Sequence, residues 1–301
     1  MLHPEEVVPT MRRGARDPAW EQLRATSYPA RLVLSALACE HELKSGLQHA
    51  GIRPGMRVLD AACGPGVISR FLLDLDAAEV VGCDAGTEML EMAESLPRRI
   101  QAGQQLSFER VDLTGSLPFP DASFDAVFFG DVWLPASFEE LRRVLRPGGA
   151  IIAKATHVIA STYAWDDAFD LRVRTAQVDA YDRSTRAGRD PDHAAIMEPR
   201  TDAEARTYIG RLQDLGPWSE LDVASVLVER RSPLPEVFEE HLRQSFGIFS
   251  GPLIADLLAP DDWERLLALY DPASPACLFA RDDLHVIQVL TFARLVPVNG
   301  P

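Results

Sequence analysis

The chain has 301 residues, 47% of them hydrophobic, and a formal net charge of −15. That is enough apolar content for a full core in one large domain, or in one domain with an elaborated cap. The negative charge and the lack of a Lys/Arg-rich run argue against a duplex DNA or RNA substrate, because phosphate binding needs a basic surface. The small basic clusters Arg12-Arg13, Arg98-Arg99, Arg142-Arg143 with Arg146, and Arg230-Arg231 read as solvated faces.

The opening residues lack the basic flank and apolar core of a signal peptide, and no apolar run approaches the ~20 residues of a membrane span. A soluble, cytoplasmic protein is the expectation. Cys39, Cys63, Cys83 and Cys277 form no C-x-x-C pair and read as reduced, small hydrophobes. The seven histidines are scattered, with no i, i+4 pair around an acid, so no metal site is expected.

In chain order, Trp20 to Gln48 reads as two helical stretches broken near Tyr28-Pro29, an N-terminal helical cap. Val58-Leu59-Asp60-Ala61-Ala62-Cys63-Gly64-Pro65-Gly66-Val67 follows: a short apolar strand ends in an acid and then a glycine turn that opens a helix. Gly64 and Gly66 allow a tight turn and a close approach of a ligand, and the helix near Val67 offers free N–H groups. The carboxylate of Asp60 is a poor neighbour for a pyrophosphate but suits a ligand carrying an amino group and a positive sulfonium. Val80-Val81-Gly82-Cys83-Asp84 is a second strand, its acid eighteen positions past the last glycine of the turn, where a carboxylate can accept both hydroxyls of a ribose. Phe108 to Leu113 places a third acid, Asp112. Phe124 to Asp131 is a fourth strand, Glu139 to Gly149 a helix closed by Arg146-Pro147-Gly148-Gly149, and Ala150 to Ala155 a fifth strand.

The stretches LDAACGPG, VVGCDAGTEML, VDLTGSLPFPDASFDAVFFGD and EELRRVLRPGGAIIAKA, over roughly residues 50 to 155, together resemble the class I S-adenosylmethionine-dependent methyltransferases, in the branch that acts on small molecules. Ser69 stands where the third glycine of a dinucleotide G-x-G-x-x-G would be, which counts against a nicotinamide cofactor. Ala62 stands where the family often has a first glycine. The resemblance implies an α/β, doubly wound, seven-stranded, mainly parallel sheet with helical cap insertions. It also implies S-adenosylmethionine, released as S-adenosylhomocysteine, as the cofactor. On the same basis Asp60, Ala62, Gly64 and Gly66 lie near its amino-acid end, Asp84 and Ala85 at the ribose, Met89, Asp112 and Leu113 around the adenine, and Gly130 beside them.

After Ala155 the pattern changes. Trp165 to Tyr181 reads as a helix, Thr201-Asp202-Ala203-Glu204 as a capping box opening another to about Leu215, and Leu221 to Val228 as the sixth strand. Helices are expected at Pro235 to Phe249, Pro252 to Leu258 and Asp261 to Tyr270, before a seventh strand at Leu284 to Leu295. The organisation is thus a cap at 1–50, a cofactor-binding core at 51–155, and the rest of the sheet at 156–301 with lid insertions near 156–216 and 231–283. Both insertions leave the sheet at its carboxyl edge, where such sheets bind ligands, so they should roof the acceptor. His157, just past the fifth strand, is the first candidate base, with Asp131 and His241 beside it as catalytic candidates. Tyr28, Trp133, Tyr163 and Phe246 suit an apolar or aromatic acceptor. The reading is methyl transfer to a small organic acceptor, a specialised or lipid-like metabolite, at oxygen or carbon. The alternative is a non-methylating enzyme of the same fold that uses bound S-adenosylmethionine electrostatically for cyclisation, decarboxylation or hydroxylation. A homodimer is compatible with the chain.

Overall fold

The computed structural model describes residues 29–97, 100–132, 137–162, 168–169, 172–173, 175–176, 209–244 and 254–298, with the backbone alone at 157–162. It contains seven strands: β1 (Arg57–Ala61), β2 (Glu79–Asp84), β3 (Gln105–Arg110), β4 (Phe124–Gly130), β5 (Leu145–Thr162), β6 (Trp218–Arg231) and β7 (His285–Pro297). They form one sheet in the order β3-β2-β1-β4-β5-β7-β6. Pairs β1–β2, β2–β3, β1–β4 and β4–β5 are parallel. This is the α/β, mainly parallel, seven-stranded sheet expected from the sequence.

Burial explains why these runs are strands. Val58, Leu59 and Ala61 of β1 are fully buried, and so are Val80 and Cys83 of β2 and Val127 and Phe129 of β4. A strand covered on both faces reads as a continuous apolar run. Between the strands, helices α3 (Val67–Asp74), α4 (Thr87–Ser95) and α5 (Phe138–Val144) supply the crossovers. On one face Phe138, Leu141 and Val144 of α5 pack with Leu59, Val81, Val127, Phe129 and Ile151 into a single core. Arg70 of α3 donates to the carbonyls of Ala93, Leu96 and Pro97, so its guanidinium closes the C-terminal end of α4.

Several boundaries differ from those expected. The helix predicted over Glu139 to Gly149 ends at Val144, and Leu145 already pairs with Phe124. Pro147 disfavours a helical Arg146 and cannot continue a helix itself, so Arg146 to Gly149 form an irregularity before Ala150 pairs with Ala126. Residues 29–38 form helix α1, and a break at Cys39 separates it from α2 (Glu40–His49); the break expected near Tyr28-Pro29 falls at the edge of the described residues. Of the predicted Pro252 to Leu258 helix, Pro252 and Leu253 lie outside the described residues, Ile254 is helical, and 255–258 form a turn and bend. The helix at Pro260–Tyr270 is present, and the one from Pro235 is described over Glu236–Gln244. The Thr201 to Glu204 capping box lies outside the described residues, whereas 209–214 are helical.

Contacts divide the chain into two compact units. The sheet unit holds Cys39–Ile159, Arg200–Val228 and Gln288–Pro301; the other holds Met1–Ala38, Ala160–Pro199 and Glu229–Ile287. The second has its own core, in which Phe169, Val173 and Ala176, at helical spacing, pack with Ile254, Leu258, Trp263 and Leu266. Arg172 holds Asp262 there through Nε and Nη2, at 2.7 and 2.8 Å. No helix among the described residues is long and apolar enough to cross a membrane.

Candidate functional site

The strand order reverses direction at β1, which has β2 on one side and β4 on the other. Ligands of open parallel sheets bind outside the carboxyl ends of the strands at such a switch point. Register places Asp60-Ala61 opposite Gly82-Cys83 on β2, Asp60 also opposite Phe128 on β4, and Gly130 opposite Lys154 on β5. The carboxyl ends of β1, β2 and β4 therefore gather Asp60, Asp84 and Gly130 with Asp131 along one edge, with Lys154 of β5 in register with Gly130.

The turn after β1 is tightly wound. Ala62, Gly64 and Gly66 have φ of 58°, 53° and 66°, all left-handed. The Cys63 amide donates to the Cys83 carbonyl at 2.9 Å, and the Gly66 amide donates to the Cys63 carbonyl at 3.0 Å. Gly66 is the N-cap of α3 and offers no side chain to its first amides. A Cβ on Gly66 would stand 2.5 Å from the Phe108 ring, so this glycine is required by packing as well as by backbone conformation. Burial pushes the thiol of Cys63 well up and that of Cys83 up to about 12, leaving both as inert thiols.

Three acids of this half of the sheet have three different sets of partners. Asp60 is 1% exposed and accepts the Ser69 hydroxyl, Oγ to Oδ2, at 2.5 Å, with a further bond from the Ser69 backbone. Burial raises its carboxyl to about 7; the Ser69 bond opposes that rise and the charge of Asp84 adds to it. Asp84 is half-buried and holds two loops together. Its Oδ2 accepts the Gly64 amide at 2.9 Å and its Oδ1 the Gly86 amide at 2.8 Å. Each carboxylate oxygen can accept a further bond. Asp112 is exposed, and its Oδ1 accepts the amide and hydroxyl of Thr114 at 2.9 and 2.7 Å, which hold its carboxyl below the ordinary range. Leu113 beside it is buried and its carbonyl accepts the Ser137 hydroxyl. Met89 is buried on α4, and the Ala85 carbonyl accepts Arg110 Nε at 3.2 Å.

The junction between β4 and β5 is built differently. Asp131 has φ 56°. Its carboxylate accepts Lys154 Nζ and, at 2.9 and 3.3 Å, the amide and hydroxyl of Thr156. Lys154 is buried, so this is a largely desolvated lysine matched to a half-exposed carboxylate. His157 follows on β5 and is described by its backbone alone. His241 belongs to the other unit, where it is 7% exposed with Phe238 edge-on to its ring at 6.1 Å. Burial, helped by the charge of Arg31, pushes it down to about 4, so it is neutral at pH 7. Tyr28, Trp133, Tyr163 and Phe246 lie outside the described residues.

Sequence reasoning missed two residues here. Ser69 was informative only as a missing glycine, and its partner is nine positions away. Lys154 had a visible signal, a single charge inside the apolar run Ala150 to Ala155. A buried lysine demands a partner.

The donor set suits a cofactor with cationic and hydroxyl-rich parts: acids at three strand ends, and uncapped amides at the start of α3. Among the described residues no cluster of His, Cys, Asp and Glu could hold a metal. A family model described as a methyltransferase domain matches residues 58–149. The chain is 33% identical to a sterol 24-C-methyltransferase of Gibberella zeae over 140 residues, 45% of this chain and 36% of that protein. It is 43% identical to a demethylmenaquinone methyltransferase of Beutenbergia cavernae over 114 residues, 36% of this chain and 44% of that protein. In both cases the match covers less than half of the relative's own length. The matched span contains β1, the glycine turn, Asp84 and Asp112, so over these residues the chain is similar to S-adenosylmethionine-dependent methyltransferases.

Proposed function

We propose that this protein transfers a methyl group from S-adenosylmethionine to a small organic acceptor, a specialised or lipid-like metabolite, at oxygen or carbon. The observation that carries this reading is the turn after β1, with Asp84 bonded to the amides of Gly64 and Gly86 and Asp60 buried behind it. Local likeness to sterol and menaquinone methyltransferases supports an acceptor that is small and apolar. The cofactor supplies an activated methyl on a sulfonium, so the protein's task is to align two molecules and exclude water.

In this reading Asp60 and the turn from Ala62 to Gly66 hold the amino-acid end. Asp84, beside Ala85, accepts the ribose hydroxyls on the lone pairs its amide bonds leave. Asp112, the Leu113 amide and Met89 receive the adenine, with Gly130 at the next strand end. Asp131, held by Lys154 and Thr156, orients the acceptor or the cofactor. His157 and His241 are the candidate bases; the burial that keeps His241 neutral, at about 4, also makes it a weaker proton acceptor than an ordinary imidazole. The segments 1–50, 156–216 and 231–283 would cap the acceptor, with Tyr28, Trp133, Tyr163 and Phe246 lining its site.

A calorimetric titration tests the reading. S-adenosylmethionine and S-adenosylhomocysteine should bind and NAD should not. Asp84→Ala should weaken cofactor binding by about 1–3 kcal/mol, the worth of a charged hydrogen-bond partner. Unchanged affinity, with the fold intact by circular dichroism, would remove Asp84 from the ribose. Production of S-adenosylhomocysteine with an acceptor then separates methyl transfer from chemistry in which the sulfonium survives.

A further inference from the structure

Asp60 is unusual among the acids of the sheet edge in what faces it. Ser69 of α3, itself fully buried, donates its hydroxyl to Oδ2 at 2.5 Å. The other ionisable groups acting on the same pocket are the thiols of Cys63 in the turn and Cys83 on β2, and the carboxylate of Asp84. All of these are neutral or negative. Among the described residues no lysine or arginine is paired with Asp60, whereas Asp131 has Lys154 and Glu140 has Arg143. A carboxylate out of water, next to a second carboxylate and supported only by the neutral hydroxyl and backbone of Ser69, holds its proton more tightly than an ordinary carboxyl, and a positive charge favours its loss.

We propose that Ser69 is a positioning residue of the cofactor site: its hydroxyl aims the Asp60 carboxylate and favours its anion, so that S-adenosylmethionine binds together with loss of the Asp60 proton. The inference rests on the cofactor reading above. The ligand brings a sulfonium and an amino group, the cationic partner that the protein omits at this position. The proton leaves Asp60 for solvent as the cationic ligand enters, and charge in the pocket is balanced. The direction follows from the burial-raised carboxyl, which is protonated below about pH 7 and ionised above it. Affinity should therefore rise as pH climbs through 7 and level off above it. Removing the Ser69 hydroxyl takes away a donor that favours the anion, so the rise should move to higher pH.

The test is calorimetric titration of the full chain with S-adenosylmethionine between pH 6.5 and 8.5, in buffers of different ionisation enthalpy. The slope counts protons exchanged. The ligand's own amine contributes to every variant alike, so differences between proteins are read. Wild type should release more protons near pH 6.5 than Asp60→Asn, which has none to lose at that position. Ser69→Ala should bind about 3–10-fold more weakly at pH 7, the worth of one hydrogen bond, and recover at pH 8.5. A merely structural role for Ser69 would lower affinity equally at every pH. Equal proton counts in wild type and Asp60→Asn would overturn the proposal. If Asp60→Asn fails to fold, a pH profile of Ser69→Ala that matches wild type overturns it. No binding by wild type at any pH would instead overturn the cofactor reading itself.

Discussion

Two strand ends in the sheet unit, after β1 and after β4, solve the same backbone problem by different means. Each turns sharply through a non-glycine residue in the left-handed region, Ala62 at φ 58° and Asp131 at φ 56°. That conformation costs an L-residue ~1–2 kcal/mol, less for aspartate, whose side chain bonds locally. Asp131 uses this capacity fully, accepting Lys154 Nζ and both donors of Thr156. Ala62 has no polar side chain, and backbone bonds from its neighbours Cys63 and Gly66 hold the turn. The junction after β4 is thus electrostatically complete within the protein. The turn after β1 is not, because among the described residues Asp60 behind it is bonded only by the neutral hydroxyl and backbone of Ser69. A carboxylate already matched by a lysine has little to gain from a cationic ligand; an unmatched one has much.

The largest effect should come from Gly64→Val. Gly64 combines φ 53° with an amide that donates to Asp84, and a β-branched side chain resists that conformation. Cofactor binding should fall by at least ~100-fold, about 2.8 kcal/mol, while circular dichroism shows the sheet retained. Retained binding in a calorimetric titration would mean that the turn does not approach the ligand, and the contrast with the β4 junction would lose its basis.

The opposite end should respond in stability rather than in cofactor affinity. Lys154→Met removes the cation from Asp131 and leaves a half-exposed carboxylate without its partner. A fully buried pair broken this way would cost ~3–5 kcal/mol, and the exposure of Asp131 reduces that to ~1–2 kcal/mol. Asp131→Asn in the Lys154→Met background should recover part of the loss, giving a non-zero coupling in chemical denaturation. Cofactor affinity should stay within about threefold. A tenfold loss of affinity without loss of stability would place Lys154 in the cofactor site and erase the distinction.

What could be read from the sequence follows from how local each signal was. Strands β1, β2 and β4 were legible because each is an apolar run ended by an acid or a glycine, and a central strand covered on both faces has no other way to appear; the edge strand β3, largely exposed, was expected at Phe108 to Leu113 and lies at Gln105–Arg110. The start of β5 was misplaced because Arg146-Pro147-Gly148-Gly149 looks like a helix stop, yet the chain had already entered the sheet at Leu145. Asp60, Gly64 and Asp84 were visible as a local pattern. Ser69 was not, because its meaning lies in a contact back to Asp60 across the turn, which no local spacing encodes. Nor did the sequence indicate that Asp131 would be neutralised, since its partners Lys154 and Thr156 are more than twenty residues away on a neighbouring strand. The acceptor side, beyond Ala155, has no comparable motif.

The smallest effect tests the comparison through its sign. Ala62→Gly removes a left-handed alanine, recovering ~1–2 kcal/mol of strain, but it adds ~0.4–1 kcal/mol of backbone freedom to the unfolded chain. The net should be a gain of about 0.5 kcal/mol, a rise of ~1–2 °C in Tm for a chain of this size. The same substitution at Asp131 should go the other way. Asp131→Gly relaxes an equally left-handed backbone but deletes the acceptor of Lys154 and Thr156, leaving a buried ammonium unpaired. Measured side by side by thermal denaturation, the two glycine variants should move Tm in opposite directions. If both raise it, the bonds to Asp131 contribute less than its backbone strain costs, and the β4 junction is no more self-sufficient than the turn after β1. If both lower it, the left-handed geometry at Ala62 is better accommodated by its turn than its φ implies, and the strain assigned to that position is absent.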